Sequence, residues 1–479
     1  MNDWPSWTRP LMTVHLTAGP LHDGMIIATG AGIAALLVWQ LTRHDRARLI
    51  WQLLGAAIAG AAGCVITWLL SDVVMAFGVS LGWTVIGTIT AGIAVLGFLG
   101  VTIAHARGLR RAIAIIMIPI ALAATALQVD AIYGEYQTIG DLVGYSPYET
   151  IGNVRIAKAT MSVAQWQVKA SKGKAPAMPA QGRMLSVRIP NTASGFKART
   201  ALIYLPPAAL SPTPPKLPVL ILLAGQPGSP GRAMSASGIT TMVDDYAAAH
   251  HGLAPIVISP DQNGANTHNS LCADTTRYGK AETYLTKDVP DWIRANLPVS
   301  NQPSDWAISG FSQGGTCSTQ LAPRHPDLFG TFIAVDGERA PTDGSVEQMT
   351  ADDFAGDRSR YDEQVPVNAI KAHAPSTQAA VLAAGENDPT SVANVKAIGA
   401  AAREAGMDVT MLQVPETGHD WHAVNATLEA ALPWWCARVG LASTDGAPGA
   451  GDTSAGDTSA STNENTKTWA DYPRLEVLE

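Results

Sequence analysis

The stretch Gly310-Phe311-Ser312-Gln313-Gly314-Gly315 sets a serine among glycines. It follows the apolar run Trp306-Ala307-Ile308-Ser309 and precedes a helix expected over residues 316–324. Strand, sharp glycine turn and helix, in that order, is the context a nucleophile elbow requires. Such a turn puts Ser312 at its tip in strained backbone geometry, with the hydroxyl exposed above the sheet. A Cβ at the flanking glycines would collide with the neighbouring strand or helix. A serine hydroxyl becomes nucleophilic near neutral pH only when a base accepts its proton and an acid orients the base.

The best base is His419, in Glu416-Thr417-Gly418-His419-Asp420-Trp421, which follows the last expected strand behind a glycine suited to a tight loop. His422 is an alternative neighbour. His250 and His251 end a helix, His268 lies in a loop, and His325 ends the helix after the elbow. The acid should follow the preceding strand, which leads into Gly385-Glu386-Asn387-Asp388-Pro389. Asp388 ranks first because the G-x-x-D turn aims it across the strand ends. Glu386 ranks second and Asp336 third. Negative charge on a tetrahedral intermediate must meet N–H donors. One is expected from Gln313, the residue after the serine. The other is expected from Gln226, in the loop Ala224-Gly225-Gln226-Pro227-Gly228-Ser229-Pro230-Gly231. Cys272 and Cys317 are candidates for a disulfide, Cys436 reads as a buried thiol, and Cys64 falls in an apolar run. No H-E-x-x-H or paired C-x-x-C occurs, so neither a metal nor another cofactor is expected.

These residues need a scaffold that brings loop ends together. From Met184 onward, short β-like runs alternate with helical ones. Strands are expected near 184–189, 200–205, 218–223, 256–259, 306–309, 331–335, 379–384 and 408–414. Helices are expected near 239–250, 282–296, 316–324 and 392–405. That alternation implies an α/β domain with a mostly parallel central sheet covered on both faces. Sites in such sheets form at the carboxyl ends of the strands, where all the candidate residues fall.

The chain has 479 residues, of which 47% are hydrophobic and only 15% charged. The apolar excess lies in four runs near 24–41, 50–70, 81–104 and 112–127, each about long enough to span a bilayer as a helix. Arg43, Arg46 and Arg48 lie between the first two runs, and Arg107, Arg110 and Arg111 between the last two. Basic loops stay in the cytoplasm, so both termini are expected outside the cell membrane. The spans carry no deep ionisable residue, which leaves transport without a visible carrier and makes anchoring the simplest purpose. Net charge is −8, and no basic run points to nucleic acid. The expected organisation is a four-helix transmembrane region over 1–129, a connector over 130–183, the α/β domain over 184–441, and a disordered low-complexity tail over 442–479. Lid and pocket residues are expected within 344–375.

The α/β domain resembles the esterase family of α/β-hydrolases, which includes esterase D-like enzymes and the antigen 85 mycolyltransferases. The resemblance rests on Leu220-Ile221-Leu222-Leu223-Ala224-Gly225, Glu282-Thr283-Tyr284-Leu285 with Asp288-Val289-Pro290, the Ser312 hexapeptide, and Gly418-His419-Asp420-Trp421. It implies a Ser312–acid–His419 triad and an acyl-serine intermediate. The chain departs from the family at Ala224, where many relatives carry His or Asp. Four spans followed by an esterase domain also look like membrane-bound actinobacterial esterases. The expectation is a membrane-anchored extracytoplasmic serine esterase acting on a membrane lipid or envelope glycolipid. An acyltransferase of mycolyltransferase type is the alternative, and a non-catalytic binding domain is the rival from another class.

Overall fold

The computed structural model describes residues 5–43, 46–74, 81–442, 469 and 472–479. The chain divides into two compact units: residues 1–146 with Gly418–Asp420, and residues 147–417 with 421–479.

The first unit contains four helices long and apolar enough to cross a membrane, Pro20–Thr42, Arg46–Val73, Gly82–His105 and Leu109–Tyr133. They cover the four runs read from sequence apart from Leu81, which caps the third helix. Small residues let the second and third helices touch: a Cβ on Gly60 would lie 3.1 Å from Ala94 Cβ, and one on Gly63 2.6 Å from Ile93 Cδ1. Buried Gln52 donates to Thr102 Oγ1 at 2.8 Å, which satisfies a polar pair inside an apolar bundle. Leu36, Leu99 and Ala114 are fully buried, whereas Ile27, Ile58, Val65 and Ile116 are exposed. An apolar face turned outward is what a hydrocarbon solvent requires.

The second unit is built on a nine-stranded sheet in the order β1-β2-β4-β3-β7-β8-β9-β10-β11. The strands are β1 (Arg183–Val187), β2 (Ala201–Leu205), β3 (Val219–Leu223), β4 (Ile256–Ser259), β7 (Trp306–Phe311), β8 (Thr331–Val335), β9 (Ala379–Gly385), β10 (Asp408–Val414) and β11 (Glu476–Val477). The short pair β5 (Asp274–Thr275) and β6 (Gly279–Lys280) forms a separate hairpin. From β4 to β10 every pairing is parallel. These strands are buried on both faces, so β3 is the unbroken run Val219-Leu220-Ile221-Leu222-Leu223 rather than an alternating one. After β3 the chain steps outward to β4, then returns on the other side as β7. The β3/β7 boundary is therefore the topological switch point, where an open α/β sheet forms its crevice. Register pairs Leu223 with Gly310, Phe311 with Val335, Val335 with Ala383, and Gly385 with Val414. Residues 224–226, 312, 336, 386–388 and 416–419 consequently leave the sheet along one edge.

Three departures from the sequence expectations have physical causes. The helix expected over 282–296 is interrupted by a wider, π-type turn at Tyr284–Asp288. Pro290 lacks the N–H a regular turn would use, and the Asp288 carboxylate accepts from Ala193 N at 2.8 Å and Ser194 N at 3.0 Å. Residues 147–183, part of the expected connector, belong to the second unit. Ser162 and Gln165 cap the helix Val163–Ser171 reciprocally, Trp166 is fully buried, and its Nε1 donates to His251 O at 3.1 Å. The end of the expected tail is also ordered: β11 pairs antiparallel with β10, and Leu478 N donates to Met411 O at 2.8 Å. Residues 443–468 of that tail lie outside the described residues.

Trp166→Ala should lower unfolding stability by about 3–5 kcal/mol, the usual cost of removing a buried tryptophan. Denaturant unfolding followed by fluorescence checks this; a change under about 1 kcal/mol would mean the segment is not part of the domain core.

Candidate active site

Ser312 follows β7 directly and precedes the helix Gln313–Arg324, with φ 53° and ψ −115°. A positive φ is strained for any residue with a Cβ and persists only where the surroundings enforce it. Three glycines do so. A Cβ on Gly310 would overlap the backbone of Gly314. One on Gly314 would lie 2.5 Å from Leu223 O and 2.6 Å from Ala224 O, and one on Gly315 2.7 Å from Val335 O. The elbow is thus pressed against β3 and β8. Ser312 N donates to Val335 O at 2.9 Å, and Ser312 O accepts from Thr316 N at 2.9 Å. Ser312 itself is half-buried.

The β3 loop reaches the elbow as expected: a Cβ on Gly225 would lie 3.5 Å from Ser312 Cβ. Gln313 opens the helix, so its N–H is one of the first-turn donors that have no partner within a helix. The Gln313 side chain is fully used elsewhere. Its Nε2 donates to Asn263 Oδ1 at 2.9 Å and Asn269 Oδ1 at 2.6 Å, and its Oε1 accepts from Asn263 Nδ2 at 2.8 Å. These asparagines lie in the loop after β4. The same loop is tied to the helix by the disulfide Cys272–Cys317, the pair expected from sequence, and by Gln320 Nε2 donating to Leu271 O at 2.8 Å.

Sequence reasoning missed the residue that joins these loops. Arg199 donates to both oxygens of fully buried Asp261, at 2.7 and 3.0 Å, and to Gly228 O at 2.8 Å, and it also bonds Asn266. Asp261 additionally accepts from Gly264 N at 3.0 Å. An aspartate directly after a buried strand was the available signal. Its partner, 62 residues earlier, had none.

The histidine loop and the acid turn meet at the same edge. Asn387 N donates to Thr417 O at 2.8 Å, and the rings of Phe311 and Trp421 lie 4.8 Å apart. One ligand atom each of Asp336, Asp388 and His419 lie within 4.8 Å of one another. The first- and third-ranked acids therefore both gather at His419. Asp388 caps the helix Pro389–Glu404, accepting from Ser391 N at 3.1 Å and Ser391 Oγ at 2.6 Å. Asp336 is fully buried, has φ 50°, and accepts from Gly385 N at 3.0 Å. Glu386, the second-ranked acid, is exposed and accepts from Glu416 N at 2.9 Å, so it fixes the loop that carries His419. His422 is exposed on the first turn of the helix Trp421–Arg438 and lies outside the cluster. The other histidines are engaged elsewhere. His250 stacks on Tyr246, His325 bonds Glu282 at 2.8 Å, and His268 lies against Tyr278. Two carboxylates around one imidazole can ligate a metal or orient the imidazole for proton transfer.

Over 344–375, the helices Val346–Asp353, Arg358–Asp362 and Pro366–Ala372 pack Met349, Phe354 and Tyr361 against Leu271 and Ala273 of the β4 loop. Among them Asp353 is buried, and neither of its carboxylate oxygens has a hydrogen-bond partner among the described residues. Burial raises its pKa to about 6, opposed by Arg277 and assisted by Asp343 and Asp352.

The family model described as "Putative esterase" matches residues 196–435. An uncharacterized protein of Corynebacterium glutamicum is 30% identical over 454 residues, covering 92% of this chain and 100% of its own. Three solved structures are similar at lower identity. A ferulic acid esterase shares 20% over 54% of this chain and 99% of that one, with TM-score 0.43. An S-formylglutathione hydrolase from Agrobacterium tumefaciens shares 16% over 55% and 99%, with TM-score 0.44. MPT51 of Mycobacterium tuberculosis shares 17% over 55% and 100%, with TM-score 0.39.

Two outcomes are expected here. Replacing Cys272 and Cys317 together with alanine should cost roughly 2–4 kcal/mol in denaturant unfolding, and reductant should do the same to the native protein. Asp353→Asn should raise the melting temperature at pH 8 and leave it unchanged at pH 4. The raised pKa means that ionisation opposes folding; the penalty is absent when the group is protonated and grows as pH rises through about 6. Equal shifts at both pH values would disprove this account.

Proposed function

The chain belongs to the esterase family, and from that premise we propose that Ser312, His419 and Asp388 form the catalytic triad of a membrane-anchored serine esterase. The observation that carries this reading is the single sheet edge bearing both the left-handed Ser312 and the His419–Asp388 pair. His419 takes the Ser312 proton as Oγ attacks an ester carbonyl. The tetrahedral oxyanion is met by the N–H groups of Gln313 and Gln226. His419 returns the proton to the departing alcohol, leaving an acyl-serine, and water activated by His419 releases the acid. Asp388 holds the imidazole in the tautomer that accepts from Ser312. The chain is a hydrolase or acyltransferase by family, and the acceptor, water or a sugar hydroxyl, distinguishes the two.

Four membrane-length helices support anchoring, and the arginines at 43, 46, 48, 107, 110 and 111 support an extracytoplasmic second unit. A tethered enzyme meets substrates in its own membrane plane at high local concentration. The substrate class this favours is a carboxylic ester in the envelope, such as an aminoacylated phospholipid or an acylated glycan.

Purified full-length protein should react with a fluorophosphonate probe. Ser312→Ala should abolish labelling and lower kcat by about 10⁶, and Asp388→Asn by about 10⁴. Asp336→Asn should cost less than Asp388→Asn. Labelling that survives Ser312→Ala would remove the proposed nucleophile. An ester panel run with and without trehalose, resolved by product, separates hydrolysis from acyl transfer.

A further inference from the structure

The first unit carries a cavity of about 650 Å³ that the reaction scheme does not use. It runs between the helices Gly82–His105 and Leu109–Tyr133, along Ile89, Ile93 and Leu96 of one and Leu122, Ala126 and Val129 of the other. At 1.5 Å per residue, the stretch from 122 to 133 is about 16 Å long. Volume and lining fall in the range of small-molecule sites. The walls are aliphatic apart from Thr125, whose Oγ1 donates to Ala121 O at 2.8 Å, and the charged lining collects at one end.

That end is built rather than open. Leu16, which is buried, lines it, held where Leu16 N donates to Gln137 O at 3.0 Å and Ile139 N donates to Val14 O at 3.0 Å. Thr17 Oγ1 adds a bond to Gln137 Oε1 at 3.1 Å. Asp130, Tyr133, Glu135 and Tyr136 complete the mouth, and Asp130 accepts from Tyr136 N at 2.9 Å. The Tyr133 hydroxyl is buried and has no hydrogen-bond partner among the described residues. A buried phenol left this way calls for an acceptor or donor from outside the chain. The lining holds no Lys or Arg, so a phosphate head finds no cationic partner there.

We infer that this groove binds one acyl chain of an uncharged membrane lipid, with the chain along Ile89–Leu96 and Leu122–Val129 and a head-group oxygen on Tyr133. The inference rests on the membrane-spanning reading of the first unit and not on the triad. Ordinary solvating lipid lies instead on exposed positions such as Ile58 and Val65, which have no polar mouth.

The test uses full-length protein in lipid nanodiscs with a monoacylglycerol carrying a photoreactive acyl chain, mapped by mass spectrometry. A phosphatidic acid with the same chain is the anionic probe. Crosslinks are expected to concentrate on residues 89–96 and 122–129 and to be competed by unlabelled monoacylglycerol. Tyr133→Phe, which removes one hydrogen bond, should weaken monoacylglycerol competition about fivefold. Ala126→Trp should block the crosslinks by filling the groove. Thermal unfolding of each variant in the same nanodiscs reports folding of the first unit without depending on Ser312. Crosslinks as strong at Ile58 and Val65, equal labelling by phosphatidic acid, or no effect of either substitution in folded protein would each overturn the inference. Loss of Ser312 labelling in the unaltered protein would sink the triad and leave the groove standing.

Discussion

One backbone conformation organises the second unit: Ser312 held at φ 53° where β7 becomes a helix. Such a residue costs about 1–3 kcal/mol unless its surroundings enforce it. The surroundings here are backbone atoms, the carbonyls of Leu223, Ala224 and Val335, which leave room for glycine alone at 314 and 315. Because backbone cannot move aside as a side chain can, β3, β7 and β8 must keep their register for the turn to exist. The ladder is extended past the strand ends to ensure it: Ser312 N bonds Val335 O, and Asp336 N bonds Ala383 O. The same extension forces Asp336 to φ 50°, so the strain recurs one strand over.

The loops around the elbow are fixed mainly by polar contacts. Asp261 alone receives the Arg199 guanidinium and the Arg199 and Gly264 amides. A buried carboxylate so fully satisfied rigidifies what it touches, whereas a partly satisfied one would destabilise it. Through Arg199 the β4 loop is locked to Gly228 in the β3 loop, and through Gln313 and Cys272–Cys317 it is locked to the nucleophile helix. In the proposed site the oxyanion donors are therefore held in place before substrate arrives, which is what makes such donors effective.

Much of this was legible in the sequence because it depends on local signals. Continuous apolar runs marked the buried parallel strands, and glycines at 310, 314 and 315 marked close backbone approach. The order of elements then placed Ser312, Asp388 and His419 after strand ends. What escaped was long-range. Nothing local says that Arg199 meets Asp261, that Trp166 inserts into a core, or that Glu476–Val477 pairs with β10 across a tail of more than 30 residues. The helix Trp421–Arg438 was not read because it is buried along most of its length and lacks an amphipathic stripe. Glu386 shares the turn of Asp388, and no local pattern says that its carboxylate accepts from the Glu416 amide.

The two carboxylates at His419 bear on why the site tolerates a half-exposed acid. Asp388 is fixed by Ser391 and Asp336 by Gly385, so neither must move to face the imidazole. In the proposed triad, proton transfer from Ser312 creates a positive imidazolium, and a positive charge between two anchored carboxylates gains from both. This is differential stabilisation of the state reached in the transition, the requirement for rate enhancement. In that triad Asp336 acts through His419 as a positioning residue, fully buried because its backbone extends the sheet, while Asp388 caps the helix Pro389–Glu404 from a half-exposed turn.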